Sequence, residues 1–128
     1  MKFVDYKHSE FFNRMVITDE CQKDSERLSL FYILGMCDTL RENYKSIYDF
    51  EERIVEPKSL RNGWQTGTSI KLTRLALNLF NGWHGYDHDN EEQVEPAVHY
   101  TPNELFCHEL AVYALEAVKI RLLYKRDN

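Results

Sequence analysis

The chain has 128 residues, 43% of them hydrophobic and 13% aromatic, which excludes a disordered polypeptide and allows one packed core, a single helical domain over residues 1–128. Sixteen basic against 21 acidic residues give a net charge of −5, a balance that repels nucleic acid and favours a basic partner. Cys21, Cys37 and Cys107 are odd in number and form no Cys-x-x-Cys pair, so partly buried free thiols in a reducing compartment are expected. The N-terminal MKFVDYKHSE carries Lys2, Asp5, Lys7 and Glu10 and lacks the apolar stretch of a signal peptide. The longest apolar run, LFYILGMC at residues 30–37, is less than half of a bilayer crossing. A cytoplasmic protein without membrane contact is expected.

In chain order, Ser9 is placed to cap a first helix, EFFNRMVI, whose Phe11, Phe12, Met15 and Val16 fall at helical spacing. Asp24 and Ser25 precede ERLSLFYILGMC, where Leu28, Phe31, Tyr32, Ile33, Leu34 and Met36 cover nearly every side of a helix, the pattern of a central, buried element. Thr39 and Glu42 are spaced as a capping box for a third helix with Leu40, Tyr44, Ile47 and Tyr48 on one face. Its end is open to two readings: FEERIVEP continues the helix through Ile54, or forms one short strand near residues 50–55 before Pro57. A break near Phe50 is the preferred one. EPKSLRNGWQTGT then reads as a loop.

Thr68 is expected to cap a fourth helix through Ile70, Leu72, Thr73, Ala76, Leu77, Leu79 and Phe80, closed by Asn81-Gly82. TPNE, with Thr101 as N-cap, Pro102 first and Glu104 third, is the strongest helix start in the chain. That last helix, continuous or bent near His108, is expected to run to about Tyr124. The fold class is therefore all-α, with about five helices around residues 28–36.

The segment NGWHGYDHDNEEQVE, residues 81–95, holds Asp87, Asp89, Glu91, Glu92 and Glu95 without a lysine or arginine. Setting these five aside leaves 16 acids against 16 bases, so the charge excess resides here. Together with Trp83 and Tyr86 it forms a candidate surface for a protein partner, one that is basic or handles nucleic acid. Alternatively the aromatic residues, and Trp64 in the earlier loop, pin their loops to the core.

His84 and His88, with Asp87 or Asp89, are the candidate ligands of a divalent metal such as zinc or manganese, and the alternative to a non-enzymatic binding protein is a metal-dependent enzyme or metal-binding protein built on this loop. Gly82 and Gly85 oppose the helix that would align the histidines, and neither a nearby cysteine nor a His-Glu-x-x-His order supports the site. No cofactor is therefore expected. His8, His99 and His108 are scattered, no nucleophile motif is present, and no catalytic residue is assigned. NGWQTGTS runs into a helix N-terminus but lacks the Gly-Lys-Ser/Thr ending of a phosphate loop. Lys119, Arg121, Lys125 and Arg126 suit the end of a helix dipole better than a nucleic-acid stripe. A homo-oligomer whose role is assembly is a third reading.

Several phrases in order, ERLSLFYILG, SIYDFEERIVEP, LALNLFNGW, TPNELF and EAVKIRL, resemble a family of small uncharacterised proteins from Gram-positive bacteria and their mobile elements, carried as a domain of unknown function. The resemblance covers most of the chain after about Asp24. It implies no activity and supplies no catalytic residue. Two departures stand out: a shorter join between NELF and the last helix, and a more acidic, histidine-rich segment over residues 84–95. The resemblance suggests one sharper role, an acidic inhibitor presenting carboxylates where a partner protein expects phosphates.

Overall fold

The computed structural model describes residues 1–123; Tyr124, Lys125 and Arg126, expected at the end of the last helix, lie outside the described residues. Helix α2, Ser25–Leu34, starts where the Asp24 carboxylate accepts the N–H groups of Glu26 and Arg27, a side-chain cap on two otherwise unpaired donors. Its residues Leu30 to Leu34 are completely buried. A helix apolar on all sides must be enclosed by others. Here α1 (Tyr6–Thr18), α4 (Gly67–Asn81) and α6 (Ala111–Leu123) pack around it.

Helix α1 docks through Phe11, Phe12, Met15 and Val16, the face expected from spacing. It begins four residues earlier than Ser9 would place it, because Asp5 accepts the His8 N–H at 2.9 Å and acts as the cap. His8 is fully buried between two backbone groups. Its Nδ1 accepts from the Val4 N–H at 3.0 Å, so its Nε2 must carry the proton donated to the Tyr32 carbonyl at 2.7 Å. Gly35 lies against this ring, and a Cβ there would sit 2.9 Å from both His8 Cδ2 and Phe11 Cδ1.

Helix α3, Asp38–Ile47, begins after Cys37 without a side-chain cap; the capping box expected of Thr39 and Glu42 does not form. The chain then turns into strands β1 (Tyr48–Asp49) and β2 (Ile54–Val55), paired antiparallel as Tyr48↔Val55 and Asp49↔Ile54. Neither a helix running to Ile54 nor a lone strand is present: the Asp49 carboxylate takes the Glu51 and Glu52 N–H groups at 2.9 and 3.0 Å, and Arg53 adopts φ +59°. Both features belong to a tight turn. Tyr48 anchors this hairpin, its ring fully buried and its hydroxyl donating to Asp19 Oδ2 at 3.1 Å while accepting from Arg27 Nε at 2.9 Å.

After a 3₁₀ turn at Pro57–Arg61, α4 starts at a true capping box, but two residues before the expected Thr68: Thr66 accepts from the Ser69 N–H and Ser69 accepts from the Thr66 N–H. TPNE starts α5 at Pro102 as expected, although the Thr101 hydroxyl donates back to the Val98 carbonyl and does not cap, and the helix ends at Leu105, short of the bend expected near His108. His108 bridges the break that follows, Nε2 meeting the Leu105 carbonyl and Nδ1 accepting the Leu110 N–H. The last helical segment is thus two helices. The described residues form six helices and two minimal antiparallel hairpins around one core, and among them no helix is long and apolar enough to cross a membrane.

Candidate functional site

The acidic segment begins where α4 ends. Gly82 takes φ +81° as the C-cap, the Asn78 side chain holds the Trp83 carbonyl at 2.9 Å, and the chain enters a second hairpin, β3 (Tyr86–Asp87) with β4 (Glu92–Gln93). Gly85 sits at its base with φ +103°, its carbonyl accepting from both the Val94 and Glu95 N–H groups. A Cβ at this position would run into the Glu95 carbonyl oxygen. Only glycine suits both the angle and the approach.

At the tip, Asp87 Oδ1 accepts from the N–H groups of Asp89 and Asn90, and Asn90 Nδ2 donates to Asp87 Oδ2 at 2.8 Å. These bonds, the Asn90 side chain first, hold the Asp87 carboxyl below its ordinary range. It stays charged at neutral pH.

The base of the hairpin is tied to the core by an ion pair. Arg74 on α4 grips Glu95 with two nitrogens, Nε to Oε1 at 3.0 Å and Nη2 to Oε2 at 2.7 Å, and the two side chains are 10% and 13% exposed. Tyr100 donates to Glu95 Oε1 at 2.6 Å and accepts from Trp83 Nε1 at 2.9 Å. Burial alone would raise the Glu95 carboxyl; the bonds from Arg74 and Tyr100 outweigh it and lower the pKa. Burial and then the adjacent Glu95 carboxylate push the Tyr100 phenol up. This four-residue chain is a bidentate, charge-assisted clamp of the strong kind.

The segment therefore divides in two. Glu95 faces inward as a structural group and does not belong to the exposed acidic face, and Glu92 pairs with Arg61 at 3.0 Å across the surface. Asp87, Asp89 and Glu91 carry the acidic charge that no ion pair offsets among the described residues. Trp83 is half-buried and hydrogen-bonded, a peg as well as a surface residue. Trp64 also packs against the core, with its indole N–H unpartnered among the described residues.

The two hairpins face a common groove of about 480 Å³. Ile54, Val55 and Pro57 supply one side; Trp83, His84, Tyr86, Asp87, His88 and Asp89 supply much of the other. Six of the residues singled out in the sequence thus meet around one concavity, while Glu91, Glu92 and Glu95 do not line it. The part played by the first hairpin was not read from sequence, since Ile54, half exposed, is brought there only by the turn at Arg53.

His84 and His88 are both exposed, but His84 Nδ1 is engaged by the Gly82 carbonyl at 2.9 Å and the His88 ring meets Tyr86 edge-on at 4.8 Å. Among the described residues no three His, Cys, Asp or Glu side chains gather closely enough to share a metal ion. The donor set named for His84, His88 and Asp87 is not assembled. Of the thiols, Cys21 is buried and pushed up to about 12, first by burial and then by Asp19 and Asp24. Cys107 is exposed, contrary to the expectation of three partly buried thiols.

A second concavity, about 490 Å³, lies between Met15, Tyr44, Tyr48 and Phe50. It shares no residue with the groove beside the acidic hairpin.

The model of a family of unknown function, DUF6075, matches residues 1–127, and the chain belongs to that family. The match includes the first 23 residues, which the sequence resemblance did not reach. No curated protein and no solved structure matches the chain.

Proposed function

We propose that this member of the family is a non-enzymatic binding module that receives a basic segment of another protein in the groove between its two hairpins. The observation that carries the reading is the clamp of Arg74, Glu95, Tyr100 and Trp83 beneath the second hairpin. Rigid presentation lowers the ordering cost of binding. Asp87 and Asp89 at the rim, beside Ile54, Trp83 and Tyr86, combine charge with apolar and aromatic anchors, the composition that concentrates binding energy at protein interfaces. A lysine- or arginine-bearing segment with one apolar side chain fits that chemistry.

A finer form rests on the resemblance to proteins of Gram-positive bacteria and their mobile elements. In it the partner is a cytoplasmic nucleic-acid-handling protein, and Asp87, Asp89 and Glu91 occupy positions its basic surface keeps for phosphates.

The test is capture from a nuclease-treated lysate by the tagged native protein and by a variant with Asp87→Asn, Asp89→Asn and Glu91→Gln, which leaves both ion pairs intact. Loss of a basic protein from the variant, with weakening as salt rises, is the expected result. Equal capture by both proteins contradicts the reading.

A further inference from the structure

Helix α6 is apolar on two sides. Ala114, Ala117 and Ile120 are buried against the core, while Val112, Leu115, Leu122 and Leu123 are 57%, 52%, 65% and 69% exposed. Val112, Leu115, Lys119 and Leu122 recur at intervals of three, four and three residues, the spacing of a coiled-coil seam. Lys119 is its one charged member, and Glu116, half-buried, borders it.

We infer that this face pairs with the same face of a second copy, the two α6 helices running antiparallel about a two-fold axis. The charges select both the partner and the direction. A parallel pair would set Lys119 against Lys119, two like charges at one level. The antiparallel register sets Val112 against Leu122 of the partner subunit and lays Leu115 along the aliphatic stem of the partner subunit's Lys119. The ammonium group of that lysine then reaches Glu116. Because the axis is two-fold, the pair between Glu116 of one copy and Lys119 of the other forms twice, a self-complementarity that an isologous interface requires and an unrelated partner would not.

A 13-residue helix is about 20 Å long and buries less than the roughly 800 Å² per partner of a standard interface. A contact of that size suits a weak, reversible dimer, and association in the micromolar range, on the order of 10–100 μM, is the expectation. Each dimer carries two acidic hairpins, which raises avidity for a repeated partner. Dimerisation through α6 does not depend on what those hairpins bind.

Sedimentation velocity of the full chain from about 5 to about 500 μM tests it, a range chosen to bracket a micromolar constant. A concentration-dependent shift from monomer to dimer is expected; a monomer throughout overturns the proposal. Leu115→Glu is expected to remain monomeric with an unchanged circular dichroism spectrum and melting curve, since the side chain is half exposed. A Leu115→Glu dimer as tight as the native one overturns the assigned face. Lys119→Glu is expected to weaken dimerisation at least tenfold and Glu116→Lys in the same chain to restore it. Failure of that rescue, with the fold intact by circular dichroism, overturns the antiparallel pairing.

Discussion

Residues 48–55 and 86–93 follow one backbone plan and put it to different uses. Each opens with Tyr-Asp, and in each the aspartate carboxylate takes the N–H groups two and three residues on. The sixth residue is left-handed in both, with φ +59° at Arg53 and +49° at Glu91. What differs is where the tyrosine goes. Tyr48 is fully buried with its hydroxyl between Asp19 and Arg27, whereas Tyr86 is half-buried at the edge of a groove. Turn chemistry fixes the shape of the hairpin and leaves its other side chains free, so one copy became a wall of the core and the other a platform for charge.

The comparison is sharpest at the tyrosines. Tyr48→Ala is expected to cost about 4 kcal/mol in urea unfolding, the usual loss on truncating a buried aromatic, because Asp19 and Arg27 also lose a partner. Tyr86→Ala should cost under about 1 kcal/mol. Similar losses at both would break the distinction.

Next is the clamp. Arg74→Ala should cost about 3 kcal/mol, as removal of one member of a buried pair does, and should speed amide exchange at Val94 and Glu95 more than in α2. Gly85→Ala is expected to cost about 2 kcal/mol, since a side chain is forced into a positive φ and against the Glu95 carbonyl. Its effect should be confined to the second hairpin, which two-dimensional NMR would show.

His8 gives a pH dependence unrelated to either hairpin. Burial lowers its pKa below the ordinary 6.5, despite the opposing bond to the Tyr32 carbonyl. Above pH 6.5 the imidazole is neutral in both folded and unfolded chains and stability is full. Below it the unfolded chain takes up a proton that the folded state resists, so stability falls until the buried ring itself titrates. Melting temperatures between pH 7.5 and 5 should decline less in His8→Asn than in the native chain. Smallest of all, Asp89→Asn with Glu91→Gln should change stability by less than about 0.5 kcal/mol, as exposed substitutions do, and adding Asp87→Asn should lower it further, because the bond from Asn90 Nδ2 is given up.

The helices were legible because their signals are local. Apolar spacing identified the buried face of α1 and the enclosure of α2, and the start of α2 was placed to within one residue at Asp24-Ser25, although the helix ends at Leu34 and not at Cys37. Caps were less legible where two candidates lay within a few residues: Asp5 prevailed over Ser9 and Thr66 over Thr68, since the winner is decided by which oxygen reaches a free N–H. The acidic segment was recognisable as a unit, but the inward turn of Glu95 was not. Its partner is 21 residues away on another element, and the available signal was Arg74 itself, the lone charge in the apolar run over residues 72–80. The likeness of the two hairpins was visible only as a repeated Tyr-Asp, too short to stand out as a repeat. The shared groove depends on how two hairpins meet in space, for which no spacing in the chain is a sign.

Binding at the groove is read most directly by an NMR titration of the isotopically labelled protein with a lysine-rich peptide carrying one leucine. Shifts are expected at the Trp83 indole N–H and at the amides of residues 54–55 and 86–90, weakened by salt and by the three amide substitutions. No shift at millimolar peptide, or shifts that map elsewhere and persist in the substituted protein, would contradict the claim that the groove beside the acidic hairpin is the binding surface.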